Sequence, residues 1–383
     1  MDILTIAGAR PNFMKIASLA DAIHKHNMQC PKNNFIGHRI IHTGQHYDAR
    51  MSQSFFDDLG IPKPDFNLEV GSGSHAQQTA EIMRRFEPIL LKEKPDFLIV
   101  VGDVNSTVAC ALVASKIAYP DGHHLDRPII VHVEAGLRSF DRNMPEEINR
   151  ILTDALSDML FVTEKQAIIN LKDEGISAEK TFFVGNVMID TLKKHLNLAK
   201  KSKIKSKLSI TNAYGLITLH RPSNVDNPSV LKGLIQSFKQ ISTKLPLFFP
   251  LHPRTSNSLK KIGELDSLRC KEISLIEPLG YLDFLNLLMD STLVLTDSGG
   301  VQEETTYLGV PCLTLRENTE RPITIAEGSN YLLGTNTDKI VETVDFILAG
   351  QGKRPKRPEL WDGKAGQRIV QQLVNSWEQR PVS

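Results

Sequence analysis

The sequence predicts an α/β protein made of two doubly wound parallel-sheet domains, one following the other. Three observations predict it. In the first half, short aliphatic runs ("DILTIAG", "RIIHTG", "DFLIVVG", "PIIVHVE", "DMLFVTE", "TFFVGN") alternate with helical patterns. Runs that are apolar on both faces and separated by helices indicate a parallel sheet covered on both sides. The second half starts the pattern again with "YGLITLH", "LPLFFPLH", "ISLIEP", "TLVLTD" and "VPCLTLR". At 383 residues the chain is too long for one ordinary core, so two domains are expected. The expected division is a first domain at 1–190, a lysine-rich linker at 191–210, a second domain at 211–364 and a final helix at 365–383.

Composition narrows the class. With 41% apolar and 23% charged residues the chain reads as globular and soluble. A net charge of +1 gives bulk electrostatics no hold on nucleic acid or a membrane surface. Cys30, Cys110, Cys270 and Cys312 are far apart and form no CxxC pair, which argues against a structural metal and fits a reducing cytosol. "MDILTIAGARP" reads as a first strand, not a signal peptide, and no run has the length of a membrane span. A cytoplasmic protein with no metal is expected.

Ligands of open α/β sheets bind beyond the carboxyl ends of the strands, so the residues just after each run matter most. The first run is followed by "GARPNFMK", where Arg10 sits in the turn before a helix starting at Pro11 and Lys15 lies about one turn into it. Two cations at a helix N-terminus suit an anion. "DFLIVVG" is followed by Asp103, and "PIIVHV" by Glu134 and then "AGLRSFDRNMPEEINR" with Arg138, Glu146, Glu147 and Arg150. Acids placed there lose solvation unless paired, and three of them make a candidate acid/base set. Glu146 and Arg150 are four apart, so a plain helical ion pair is the expected use of those two.

In the second half His220 and His252 each close a run, and either suits phosphate binding or proton transfer. His46 and His132 read as structural. "LTDSGGVQEE" puts Asp297 after a strand and Ser298, Gly299 and Gly300 in the turn into a helix. Glycines there let the backbone approach a phosphate, and Glu303 and Glu304 follow within the second turn, where a carboxylate can accept from sugar hydroxyls. Neither GxGxxG nor GxxxxGK[ST] is present.

Taken in order, "GARPNFMK", "GQHYD", "GDVNST", "HVEAGLRSFDRNMPEEINR", "LHRPSNVD", "LHPRT", "LTDSGGVQEE" and "RENTERP" make the chain resemble the non-hydrolysing UDP-N-acetylglucosamine 2-epimerases over about residues 1–375. The resemblance implies a glycosyltransferase-B-like fold, two Rossmann-like domains with the active site in the cleft between them. It implies reversible conversion of UDP-N-acetylglucosamine to UDP-N-acetylmannosamine by elimination of UDP to 2-acetamidoglucal and re-addition, with no cofactor. Carried over by motif, Asp103, Glu134 and Glu146 are the acid/base groups, with His220 close to the reaction. Arg10, Lys15, His252, Ser298, Gly299 and Gly300 hold UDP with His220, and Glu304 holds the ribose. Arg138, Arg150 and Arg321 support the sugar and the departing charge. A UDP-sugar substrate, a homodimer, and no nucleic-acid or membrane partner are expected with it.

Departures carry information. Ala9 stands where the family has threonine. Gln45-His46-Tyr47 and His220-Arg221-Pro222-Ser223 stand where many bacterial members read "QHR" and "HRRE" in an allosteric pocket, so activation by a second substrate molecule is not expected. Relatives that act on UDP-2,3-diacetamido-2,3-dideoxyglucuronate tend to lack the arginine and proline found here at Glu320-Arg321-Pro322, which favours UDP-N-acetylglucosamine. The alternatives are that diacetamido-uronate substrate, a hydrolysing epimerase, a glycosyltransferase and a nucleotide-sugar sensor.

Overall fold

The computed structural model describes residues 1–8, 10–30, 34–44, 60–269 and 272–380. Two compact units divide the chain, one formed by Met1–Lys194 with Glu359–Ser383 and the other by His195–Pro358. The unit boundaries differ from the expected domain limits, because residues 359–364 belong with the first unit. Residues 191–210, expected as a linker, are largely helical. One helix runs Val187–Ala199 and a short one Ile204–Lys207, with Ile204 buried.

The first unit holds a seven-stranded parallel sheet of β1 (Asp2–Ala7), β2 (Gly37–His42), β3 (Phe66–Asn67), β4 (Phe97–Val101), β5 (Ile129–Ala135), β6 (Met159–Val162) and β7 (Thr181–Phe183). Its order is β3-β2-β1-β4-β5-β6-β7. The second unit holds β8 (Gly215–Thr218), β9 (Leu247–Pro250), β10 (Ile273–Ile276), β11 (Leu293–Thr296), β12 (Cys312–Thr314) and β13 (Asn330–Leu332). Its order, β10-β9-β8-β11-β12-β13, repeats the doubly wound order of the first. The order in which successive strands are added reverses at β1/β4 in one sheet and at β8/β11 in the other, and those switch points open the crevices where such sheets take ligands. The aliphatic runs are buried as both-face strands: β4 and β5 have no exposed residue.

Two local features set up the site. The register of β5 against β6 shifts between Val133 and Ala135, leaving Glu134 as the extra residue of a bulge at φ +73°. Left-handed backbone costs a non-glycine residue about 1–2 kcal/mol, so the surroundings must hold it there. The helix Pro145–Leu156 begins with proline in its first turn, where the missing N–H is no loss. In the first unit the closing helix Ala365–Glu378 is tied down by Asp190, which accepts from Ala365 N (3.1 Å), Gly366 N (2.7 Å) and Ser18 Oγ (2.8 Å). Among the described residues no helix is long and apolar enough to cross a membrane.

Candidate active site

At the β1/β4 switch point of the first unit, Lys15 reaches from its helix to Glu134, Nζ to Oε1 at 2.6 Å, with both side chains buried. Gly102 sits directly beneath. A Cβ there would lie 3.0 Å from Lys15 Nζ, and its φ of +67° is one a glycine adopts freely. The next residue, Asp103, accepts a bond of 2.5 Å from Arg150 Nη1. Its backbone carbonyl accepts from Asn149 Nδ2 at 2.9 Å. The structure thus brings Lys15, Glu134, Asp103 and Arg150 together. Ala9 and residues 45–47 lie outside the described residues, as does the side chain of Arg10.

Arg150 does not make the expected pair with Glu146. It pairs with Glu147, Nη2 to Oε2 at 2.5 Å, three residues back. Glu147 was claimed first by the loop before the helix. It accepts from Ser139 N (3.0 and 3.1 Å), Ser139 Oγ (3.0 Å) and Phe140 N (2.8 Å). Burial works to raise the Glu147 carboxyl, but these donors and Arg150 outweigh it and hold it below the usual range. Glu146 is half-buried at the mouth of the helix and has no ion pair among the described residues.

Arg138 is a correction. Expected to face the sugar, it is 3% exposed and points inward. Its guanidinium donates to both carboxylate oxygens of Glu174 (2.7 and 2.6 Å), reaches Asp154 at 2.7 Å and donates to its neighbour's carbonyl. The two acids hold it more firmly protonated than usual. It braces the turn after β5. His132 is fully buried below the same turn, as its structural reading requires.

In the second unit the residues after β8 and β11 meet through Asp297. This fully buried carboxylate accepts from His220 N (3.0 and 3.1 Å), Arg221 N (2.8 Å) and Asn224 Nδ2 (3.3 Å), and lies 3.0 Å from His220 Nδ1. Burial opposes its charge, yet His220 and the backbone donors hold its carboxyl below the ordinary range. With Nδ1 turned to Asp297, the other ring nitrogen of His220 is aimed outward from a partly exposed side chain. The His252 ring lies 5.7 Å away, centre to centre. His252 caps the helix Pro253–Lys261 by accepting from Arg254 N at 3.2 Å through Nδ1, so its Nε2 carries the proton and is a donor.

The helix Gly299–Leu308 opens at Ser298, whose side chain makes no cap to it. A Cβ on Gly299 would lie 2.8 Å from Arg321 Nη1, so only glycine lets this arginine lie against the first turn. Arg321 pairs with Glu303 (2.9 Å) and with Glu320, which also takes Arg316 at 2.8 Å and faces Arg221 at 3.9 Å. Three arginines therefore share two glutamates at the head of a helix, a positive surplus suited to an anion. Glu304 has the Tyr281 hydroxyl at 3.1 Å and no cation beside it among the described residues. Burial, together with the neighbouring Glu303, pushes its carboxyl up to about 8, against the opposing bond from Tyr281.

A family model described as UDP-N-acetylglucosamine 2-epimerase matches residues 28–374. The chain belongs to that family. A Methanocaldococcus jannaschii UDP-N-acetylglucosamine 2-epimerase is 43% identical over 98% of this chain and 99% of that one. A Pseudomonas aeruginosa UDP-2,3-diacetamido-2,3-dideoxy-D-glucuronate 2-epimerase is 42% identical, over 98% and 99%. Among solved structures, the M. jannaschii epimerase in complex with UDP-GlcNAc and UDP matches with TM-score 0.87 at 44% identity, covering 98% of this chain and all of that one. The Neisseria meningitidis epimerase bound to UDP-GlcNAc matches with TM-score 0.85 at 30% identity, covering 98% and 100%. The fold is accordingly the family's, glycosyltransferase-B-like with two Rossmann-like units.

In both units, sequence reasoning left the partners of the candidate residues unread. Asp297 was visible after its strand, but its grip on His220 was not. Glu147 carries the loop at Ser139 and Phe140, a role a second glutamate in "PEE" does not announce. Asp154, Tyr281, Arg221 and Arg316 had no signal beyond their residue type.

Proposed function

We propose that this protein interconverts UDP-N-acetylglucosamine and UDP-N-acetylmannosamine by elimination and re-addition of UDP. Inverting C2 needs a proton removed from one face and another delivered to the opposite face, so one carboxylate is not enough. The observation that carries the reading is the pairing at the first switch point. Glu134 sits on a left-handed bulge against Lys15, and Asp103 sits against Arg150 one residue past Gly102. Glu146, with no ion pair among the described residues, is the third acid at hand.

In the forward step one carboxylate takes the C2 proton. The C–H electron pair becomes the C1=C2 bond, and the C1–O pair leaves with UDP. In the return step the UDP oxygen adds back to C1 and a proton enters C2 from the opposite face. The surplus of arginine at the head of the helix Gly299–Leu308, with His220 and His252, binds the diphosphate and stabilises the charge it gains on leaving. Buried Glu304 accepts from the ribose hydroxyls. No step calls for a redox cofactor or a metal.

The diacetamido-uronate substrate is the second reading, favoured by the 42% identity to the P. aeruginosa enzyme. Against it stands Arg321, held in place by Glu303 and Glu320. The family resemblance further supports a cytoplasmic homodimer that feeds polysaccharide assembly, and sedimentation equilibrium tests the dimer. Incubation with UDP-N-acetylglucosamine in deuterated water, followed by proton NMR, tests the reaction. The expected product is UDP-N-acetylmannosamine deuterated at C2. Free N-acetylmannosamine with UDP would show hydrolysis, and turnover of the diacetamido-uronate alone would establish the second reading.

A further inference from the structure

The floor under the first switch point is a buried chain of charges that the reaction scheme does not use. His132 on β5 is fully buried, as is Asp154 on the helix Pro145–Leu156. His132 Nδ1 lies 2.6 Å from Asp154 Oδ1, and His132 Nε2 lies 2.8 Å from the carbonyl oxygen of Gly102. Asp154 Oδ2 accepts from Gly136 N at 3.1 Å and meets Arg138 Nη2 at 2.7 Å. Arg138 in turn holds Glu174.

A neutral imidazole has one donor and one acceptor nitrogen. Here both nitrogens face oxygens that only accept, a carbonyl and a carboxylate. A lone pair turned on either at these distances would be repulsive, so the ring must carry both protons. The charges around it fit: the imidazolium and Arg138 lie against Asp154 and Glu174, and an unpaired charge at such depth would be costly. The anchored carbonyl belongs to Gly102, the residue before Asp103. The same glycine donates its N–H to Val133 O at 3.0 Å, so both of its polar groups are bonded to β5.

We propose that His132, held as an imidazolium by Asp154, is a positioning residue for the epimerisation, tying the Gly102–Asp103 turn to β5 so that Asp103 stands at a fixed height beside Glu134. This rests on the functional reading above for its catalytic part, and on geometry alone for the protonation of the ring. The helix that supplies Asp154 also supplies Asn149 to the Asp103 carbonyl and Arg150 to its carboxylate. Asp103 is therefore held at two points by this helix, and Gly102 before it is tied to β5 through Val133 O and the side chain of His132.

The experiment has two arms on the full chain. With 15N-histidine label, long-range proton–nitrogen correlation spectra from pH 6 to 8.5 should show one histidine with both nitrogens protonated throughout, and that signal should vanish in His132→Asn. A neutral ring at pH 7 overturns the proposal, and this arm needs only wild-type protein if the variant fails to fold. In the activity arm, His132→Asn keeps a donor for Asp154 but cannot reach Gly102, whereas His132→Gln extends a donor as far as the carbonyl. The expected result is kcat lower by roughly tenfold or more in the Asn variant, the worth of one good charge-assisted bond, with KM unchanged and partial recovery in the Gln variant. An Asn variant with wild-type kcat, or one whose KM alone rises, overturns it. If wild-type protein exchanges no deuterium at C2, the functional reading fails and takes the catalytic part with it. The spectrum still decides the ring.

Discussion

The two units treat their acids in opposite ways. In the first unit several buried carboxylates meet a cation: Glu134 has Lys15, Glu147 has Arg150, and Asp154 has Arg138. In the second unit the cations are in surplus and Glu304 is left with a tyrosine. Paired charges are set in place before any ligand arrives, which suits groups that must move protons with fixed geometry. Unbalanced charge is stable only until a ligand completes it. Under the proposed function, the first unit is organised for chemistry in advance and the second is completed by a nucleoside diphosphate.

The sharpest test of that division is Glu134→Gln. Losing a proton-transfer group should lower turnover by roughly 10²–10⁴-fold, while UDP binding, measured by calorimetry, should be little changed. Wild-type turnover would remove Glu134 from the acid/base set, and a matching loss of UDP affinity would break the division itself. Next in size is stability. Arg150→Met strands Glu147 and Asp103, and breaking a buried pair costs about 3–5 kcal/mol. Arg316→Met in the second unit should cost less, since Glu320 keeps Arg321. Urea unfolding of both variants checks the order, and a reversal would mean that the second unit is not over-supplied with positive charge.

Glu304 gives a pH test. Its carboxyl, raised to about 8 in the free protein, makes a contribution to stability that is complete below the ordinary carboxylate range and is lost as pH rises through about 8. Glu304→Gln should therefore melt higher than wild type above pH 8 and alike at pH 5. Asp154, Asp297 and Glu147 are held low, so their contribution runs the other way and is lost only in acid. A ribose diol donating to ionised Glu304 would expel its proton. At pH 7 UDP binding should then release up to about one proton, seen as a calorimetric enthalpy that varies with buffer and no longer does so in Glu304→Gln. A wild-type enthalpy independent of buffer would count against Glu304 as the ribose group.

Much of this was legible in the chain, for definite reasons. Strands buried on both faces declare themselves, and their ends mark the crevice, so Asp103, Glu134, His220 and Ser298 could be picked out. β3, at two residues, is too short for a pattern to register, and the edge strand β13, Asn330–Leu332, carries no aliphatic run. The partners were harder. Spacings of three and four are both allowed on a helix, so "PEEINR" alone could not choose Glu147 over Glu146 for Arg150. The choice fell to the N–H groups of Ser139 and Phe140. Arg138 was misread because its partner Glu174 lies 36 residues on, past β6, and nothing local points to it.

The smallest effect concerns strain. Both non-glycine residues at positive φ in the acid-side loops, Glu134 (φ +73°) and Phe140 (φ +59°), belong to the first unit, whereas the second unit's one such residue among those described, Ser209 (φ +54°), lies away from its helix mouth. Phe140 is 77% exposed, so little packing keeps it left-handed, and its N–H on Glu147 does. Glycine in its place would remove about 1 kcal/mol of backbone strain, offset in part by the larger entropy of the unfolded chain. Phe140→Gly should therefore be neutral to slightly stabilising in urea unfolding. Any loss of turnover in that variant would then have to come from the missing ring and not from a weakened loop. A clear destabilisation would mean that the ring is packed in solution, and that the loop beside the acids owes its shape to more than the Glu147 clamp.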